Sequence, residues 1–155
     1  ADATLPEIRR QAAAVVVDFH AEATSEKRAL ALHLDGRVSA IAGTHTHVQT
    51  ADAQLLPGGT GYITDTGMCG PAGSVIGMDP KGVLRRFLLQ VPVRFEVAAG
   101  EPEASGVFFG LDPGTGACRA AAGLRRLDGR LFQMLPLQVA TLATLVASLV
   151  TALVS

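Results

Sequence analysis

VVVDFHAEATSEKRALALHLDGRVSAIAGTHTH, residues 15–47, is the stretch whose reading decides the fold. Val15, Val16 and Val17 form a β-branched run leading into Asp18, Phe19 and His20. Such a run reads as a buried strand in a sheet covered on both faces. Thr24 or Ser25 can cap a helix, with acidic Glu26 near the positive end of its dipole. That helix runs to Leu34 and stops at Asp35-Gly36. Val38 to Ala42 is a second strand, followed directly by Gly43-Thr44-His45-Thr46-His47. Strand, helix and strand in about thirty residues make a βαβ unit. In such a sheet functional groups collect at the C-terminal ends of the strands. His20 and the His45/His47 pair sit at two such ends, so distant parts of the chain aim at one sheet edge.

These histidines carry the candidate chemistry. In extended backbone, side chains at i and i+2 share a face, so His45 and His47 can point into one site. Neutral imidazole ligates zinc, iron, nickel and similar ions. The bland alternatives stay open at this point. His20 alone reads as readily as a hydrogen-bonded core histidine, and His45 and His47 as loop or solvent-facing residues. His33, in the middle of the helix, is assigned no role.

Outward from this unit, Pro6 to Ala13 has helical composition, with proline near the first turn. Leu56 to Gly61 is a turn through Pro57-Gly58-Gly59, and Gly61 to Asp65 a third strand. Thr66 to Gly77 is a glycine-rich loop, and the stretch Thr64 to Pro71 after the third strand either borders a substrate pocket or is only a tight turn. Asp79-Pro80 to Leu89 reads as a helix or bent strand. Val93 to Val97 and Ser105 to Leu111 read as strands. Asp112 to Gly116 is a turn, with Ala117 to Leu127 pairing back.

The chain has 155 residues, a formal net charge of −1 and 17% charged residues. That excludes a basic grip on nucleic acid but not a small phosphorylated substrate held through metal ions. Cys69 and Cys118 form no CxxC pair and read as reduced thiols of a cytoplasmic protein. The start lacks the pattern of a secretory signal. A single domain spans residues 1–127, with an apolar, helical tail over 128–155. LFQMLPLQVATLATLVASLVTALVS, residues 131–155, has the length of a membrane helix. It reads as a membrane anchor, a mistranslated terminus or an apolar helix packed on the domain. The start at Ala1 and this tail together suggest part of a longer natural domain.

VVVDFHAEATSEKRAL (15–30), LDGRVSAIAGTHTHVQTAD (34–52), GYITDTGMCGP (61–71), SVIGMD (74–79) and VPVRFEVAAG (91–100) resemble the YmdB-type calcineurin-like metallophosphoesterases of bacteria. The resemblance runs to about Arg126 or Leu127. It implies an α/β fold, here the C-terminal half of an α/β/β/α sandwich. It implies two metal ions, usually iron with manganese or zinc as substitutes, and hydrolysis of phosphodiesters such as 2′,3′-cyclic nucleotides. His20 and His45 match ligands of one ion, and His47 a ligand of the other. The family's N-terminal half supplies an Asp ligand, a bridging Glu with its Asn, and an Asn-His pair, and no segment here matches them. Asp18 and Glu22 flank His20 and can orient an imidazole from behind or only bond locally. Asp65 lies in the Thr64–Pro71 loop, which borders the pocket or is only a tight turn. Lacking the missing half, the chain is expected to self-associate through apolar surface. Three functions compete: a phosphodiesterase piece, a non-catalytic metal-binding or regulatory module, and a membrane-tethered domain.

Overall fold

A computed structural model of the chain describes residues 1–127 and 130–134. It contains helices α1 (Leu5–Gln11), α2 (Thr24–Leu34) and α3 (Pro80–Leu89). The strands are β1 (Val16–His20), β2 (Ala40–Thr44), β3 (Gln54–Leu55), β4 (Gly61–Ile63), β5 (Cys69–Pro71), β6 (Pro102–Leu111), β7 (Cys118–Leu127) and β8 (Arg130–Met134). They form two four-stranded sheets, ordered β1-β2-β4-β3 and β5-β6-β7-β8.

The βαβ unit forms as the sequence predicts, with β1 and β2 parallel in a register from Val16↔Ala40 to His20↔Thr44. β4 continues the parallel order beside β2, and short β3 closes the sheet antiparallel to β4. The second sheet is antiparallel throughout. The sheets meet where β3 and β4 lie against β7. A Cβ on Gly61 would stand 2.7 Å from Cys118 Sγ and from the Phe109 ring, so only a bare backbone fits that contact. Gln49 ties the sheets further, its Nε2 donating to Gly106 O at 2.6 Å and Leu124 O at 2.9 Å. The main core gathers Leu5, Ala31, Leu34, Val38, Ile41 and Tyr62, where α1 and α2 cover the first sheet.

Several expectations change. β1 is an edge strand with Val16, Asp18 and His20 exposed, so it is covered on one face only. α2 begins at Thr24, but its N-cap is Ala23 and no side chain caps it. α3 is a full helix, begun by Asp79, whose carboxylate accepts from Lys81 N at 2.7 Å, and by Pro80 at its first turn. Val93 to Val97 is not a strand. Only Val97 makes a bridge, to Met78, and the segment instead lies along α3 with Arg86 over the Phe95 ring at 5.2 Å. Cys69 and Cys118 are free thiols, as expected. Residues 130–134 of the apolar tail pair with β7 as β8, extended where a helix was expected. The rest of that tail, 135–155, lies outside the described residues. Among the described residues no helix is long and apolar enough to cross a membrane.

Gly43, two residues before His45, lies close against the backbone of Thr64. A Cβ there would lie 1.8 Å from Thr64 O. Since both neighbours are backbone, Gly43→Ala must push β2 from β4. We expect a loss of about 1–3 kcal/mol, read as a lower denaturant midpoint at unchanged slope. An unchanged midpoint would contradict this packing.

Candidate metal centre

The parallel register sets His20, the last residue of β1, beside Thr44, the last of β2. The next residue, His45, turns its ring onto His20. The ring centroids are 4.8 Å apart at 77°, and His45 Nδ1 stands 3.0 Å from His20 Nε2. Each ring is held from behind. His45 Nε2 lies 2.8 Å from the carboxylate of Glu22, which can only accept, so Nε2 donates to it. His20 Nδ1 lies 3.1 Å from Thr44 Oγ1.

His47 faces elsewhere. Its Nδ1 lies 3.3 Å from the carbonyl oxygen of Ile76, so Nδ1 donates to it. The alternation argument made for this pair does not describe its backbone. β2 ends at Thr44, and His45 and His47 have φ of +120° and +65°. Both lie in the left-handed region that L side chains rarely adopt, and Ile76, at +44°, joins them. Strain of this kind collects where geometry serves a site.

What holds the strained turn is a buried ion pair that the sequence did not reveal. Lys27, on α2, donates from Nζ to Asp65 Oδ2 at 2.8 Å, and the two side chains are 1% and 0% exposed. The same Asp65 oxygen accepts from Thr46 N, between the two histidines, at 2.9 Å, and Oδ1 accepts from Gly67 N. Burial alone would raise the Asp65 pKa. The Lys27 ammonium and the N–H groups of Thr46 and Gly67 outweigh it, and the carboxyl is held below the usual aspartate value. Asp65 is therefore a support of the histidine loop. Asp52 latches the next turn, accepting from Thr64 N at 3.1 Å, Thr64 Oγ1 at 2.5 Å and Thr50 Oγ1 at 2.6 Å. Asp18 is exposed on the same face of β1 as His20 and accepts from Thr44 Oγ1 at 3.2 Å. His33 is exposed on α2 and bonds Asp2 at 3.0 Å, away from these groups in role.

The chemistry of this donor set fits a cation. His20 Nε2 and His45 Nδ1 face each other at 3.0 Å from two separate strand ends, and imidazole nitrogens are ligands for divalent ions of this class. A ligating histidine also donates its other ring N–H to a carboxylate, a backbone carbonyl or a similar acceptor, as Glu22 and Ile76 allow here. The structure brings together His20, His45 and Glu22, but His47 is oriented separately. Among the described residues no group of three or more His, Cys, Asp or Glu side chains has the geometry to hold an ion alone. Next to His47, Ile76 also lines an open apolar groove of about 930 Å³, with Val83, Phe87 and Phe95 on its walls.

Residues 1–124 match the family model described as YmdB-like protein. A 2′,3′-cyclic-nucleotide 2′-phosphodiesterase of Bacillus subtilis is 51% identical over 115 residues, 74% of this chain and 44% of that protein. A crystal structure of a novel phosphatase of Mycoplasma pneumoniae superimposes with a TM-score of 0.70 at 45% identity, over 74% of this chain and 41% of that one. A hypothetical protein from Thermus thermophilus gives a TM-score of 0.68 at 42% identity, over 78% and 45%. The chain thus spans less than half the length of these relatives.

Proposed function

The chain belongs to the YmdB-like protein family, and from that premise we propose that it carries the histidine side of a binuclear metal centre in a phosphodiesterase. The proposed substrates are small phosphodiesters such as 2′,3′-cyclic nucleotides, the class named for the Bacillus relative. One observation supports this reading above the others. Two imidazoles from separate strand ends face each other through ring nitrogens 3.0 Å apart, and an acceptor holds the far side of His45.

In this reading His20 and His45 hold one ion and His47 offers Nε2 to a second. Iron, manganese and zinc all suit imidazole. Bound metal would supply positive charge to offset the phosphate and would activate water for attack. Glu22 orients His45, and the Lys27–Asp65 pair fixes the loop between His45 and His47. The proposal assigns the carboxylates that bridge the ions, and the general acid, to residues outside this chain. The exposed apolar face of α3, with Phe87 and Leu88 both more than three-quarters exposed, is the surface proposed for self-association.

The second reading, a metal-binding module without catalysis, rests for the 155-residue chain alone on the facing His20–His45 pair. Without further carboxylates to offset their charge, two cations bound close together would repel strongly. We expect calorimetric titration of the chain with Mn²⁺ to give at most one weak site and no turnover of 2′,3′-cyclic AMP. Joined to a partner segment that brings the chain to its relatives' length, it should hydrolyse that nucleotide, lose activity to chelator and regain it with metal. Two tight sites on the chain alone would refute the division of ligands. Metal-independent hydrolysis by the longer protein would refute the metal reading altogether.

A further inference from the structure

The turn that meets His47 also builds one wall of a groove. Val75 and Met78 bond each other's backbone, Val75 N to Met78 O at 2.9 Å and Met78 N to Val75 O at 3.0 Å, which leaves Ile76 and Gly77 as a two-residue turn. Both have positive φ, +44° and +99°, as such turns require, although a β-branched residue rarely adopts it. The turn is pinned from two sides: Gly77 N donates to Ser74 Oγ at 2.9 Å, and Ala98 N donates to Gly77 O at 3.0 Å. Ile76 is thus held with its carbonyl oxygen 3.3 Å from His47 Nδ1, and the same residue lines the groove of about 930 Å³ beside α3. The other walls include Phe95 and a helical stripe of α3, Val83, Arg86, Phe87 and Gln90. The Arg86 guanidinium lies over the Phe95 ring at 5.2 Å, whereas Phe87 is 76% exposed.

We propose that this groove is a base-binding subsite, taking the nucleobase of a cyclic nucleotide whose phosphate lies at the metal centre. The inference rests on the metal-centre reading above and concerns the part of the substrate that the histidines do not touch. Three features argue for a base. The groove is continuous with the site, because Ile76 belongs to both. In a 2′,3′-cyclic nucleotide a single ribose ring separates phosphate from base, so a phosphate beside His47 brings the base to the next wall. The size and lining are those of a small-molecule pocket, mostly apolar with a few polar groups. Those groups suit a flat heterocycle. Phe87 offers a ring face on which any base can stack, and the Gln90 amide offers both donors and an acceptor to its edge. The bonds that pin the Ile76 turn keep the wall in place before anything binds, so little ordering opposes the ligand.

The test titrates adenosine, which has base and ribose but no phosphate, into the metal-free 155-residue chain. The chain is kept dilute enough to be monomeric, because Phe87 borders the α3 face proposed above for self-association. Backbone ¹H–¹⁵N spectra should show saturable shifts at Ile76, Phe87, Gln90 and Phe95. Phe87→Ala should weaken adenosine binding at least about fivefold, the lower end of what one base–aromatic stack contributes. Leu88→Ala, equally exposed on α3 but outside the groove, should leave it unchanged. Both side chains face water, so melting temperatures near wild type are expected for the two variants. With Zn²⁺ added, 2′,3′-cyclic AMP should shift the groove signals and that of His47 together. Absence of saturable groove shifts, or an equal loss in the two variants, overturns the proposal. So do groove signals that answer to chain concentration and not to adenosine, which would place a second copy there. Adenosine needs no metal, so failure to bind Zn²⁺ would sink the metal-centre reading by itself, while the adenosine titration still decides the groove.

Discussion

Lys27→Met should unfold the chain about 3–5 kcal/mol more easily than wild type, because it leaves the Asp65 carboxylate charged, buried and without its cation. For a domain of this size that is a fall in melting temperature of roughly 10 °C. The pH dependence separates this cause from lost packing. In the wild type the Asp65 pKa lies below its ordinary value of 3.8. Folding thus gains stability from Asp65 above about pH 4, and that gain is lost as pH falls through the lower, folded value. In Lys27→Met the lysine is gone and burial dominates, so the folded carboxyl takes up a proton at higher pH than the unfolded one. Protonation removes the buried charge and relieves the variant while it weakens the wild type. The gap in stability between the two should therefore narrow as pH is lowered from about 7 toward about 4. A gap independent of pH would mean that the methionine side chain fails by shape, and that the ion pair contributes little. Lys27→Met combined with Asp65→Leu should recover part of the loss at neutral pH, although Thr46 N and Gly67 N would lose an acceptor.

Lys27 also shows where sequence reading stops. It lies in Thr-Ser-Glu-Lys at the start of a helix, a setting in which lysine normally faces water. Its burial is decided by Asp65, thirty-eight positions later, and by Gly43, whose missing Cβ leaves the Lys27 chain room at 3.0 Å. No local pattern carries that information. What was legible was the part written in periodicity: the valine run, the helix stop at Asp35-Gly36, and a second short strand ending in histidines. From those, the parallel pair β1–β2 and the meeting of His20 with His45 followed. The details that make the meeting chemical were not legible. The sequence offered extended alternation for His45-Thr46-His47, and the backbone there is left-handed at both histidines. It left Glu22 able to orient an imidazole or only to bond locally, but did not show that the ring it reaches is that of His45. Strand ends are predictable because side-chain period reports them. The turn just beyond depends on which distant group accepts its N–H, here the Asp65 carboxylate bonded to Thr46 N.

That left-handed turn sets up the second large effect. His45 has φ +120°, a conformation costing of order 1–3 kcal/mol for a residue with a side chain. Glycine adopts it freely but loses about 0.5–1 kcal/mol more conformational entropy on folding. His45→Gly should accordingly leave the metal-free chain as stable as wild type, or more stable by about 1 kcal/mol. The same substitution removes one of the two nitrogens that face each other at 3.0 Å. Metal affinity should then fall by more than about 100-fold, beyond the loss expected for a residue that only supports a ligand. His20→Ala should match that loss of affinity without the gain in stability, since His20 ends a regular strand. His47→Ala should leave the facing pair intact and weaken the first site much less. Thermal melts of the metal-free variants beside Zn²⁺ titrations decide the matter. If His45→Gly instead melts well below wild type, the His45 ring is holding the fold together, and the strain at this turn is not the cost of presenting a ligand.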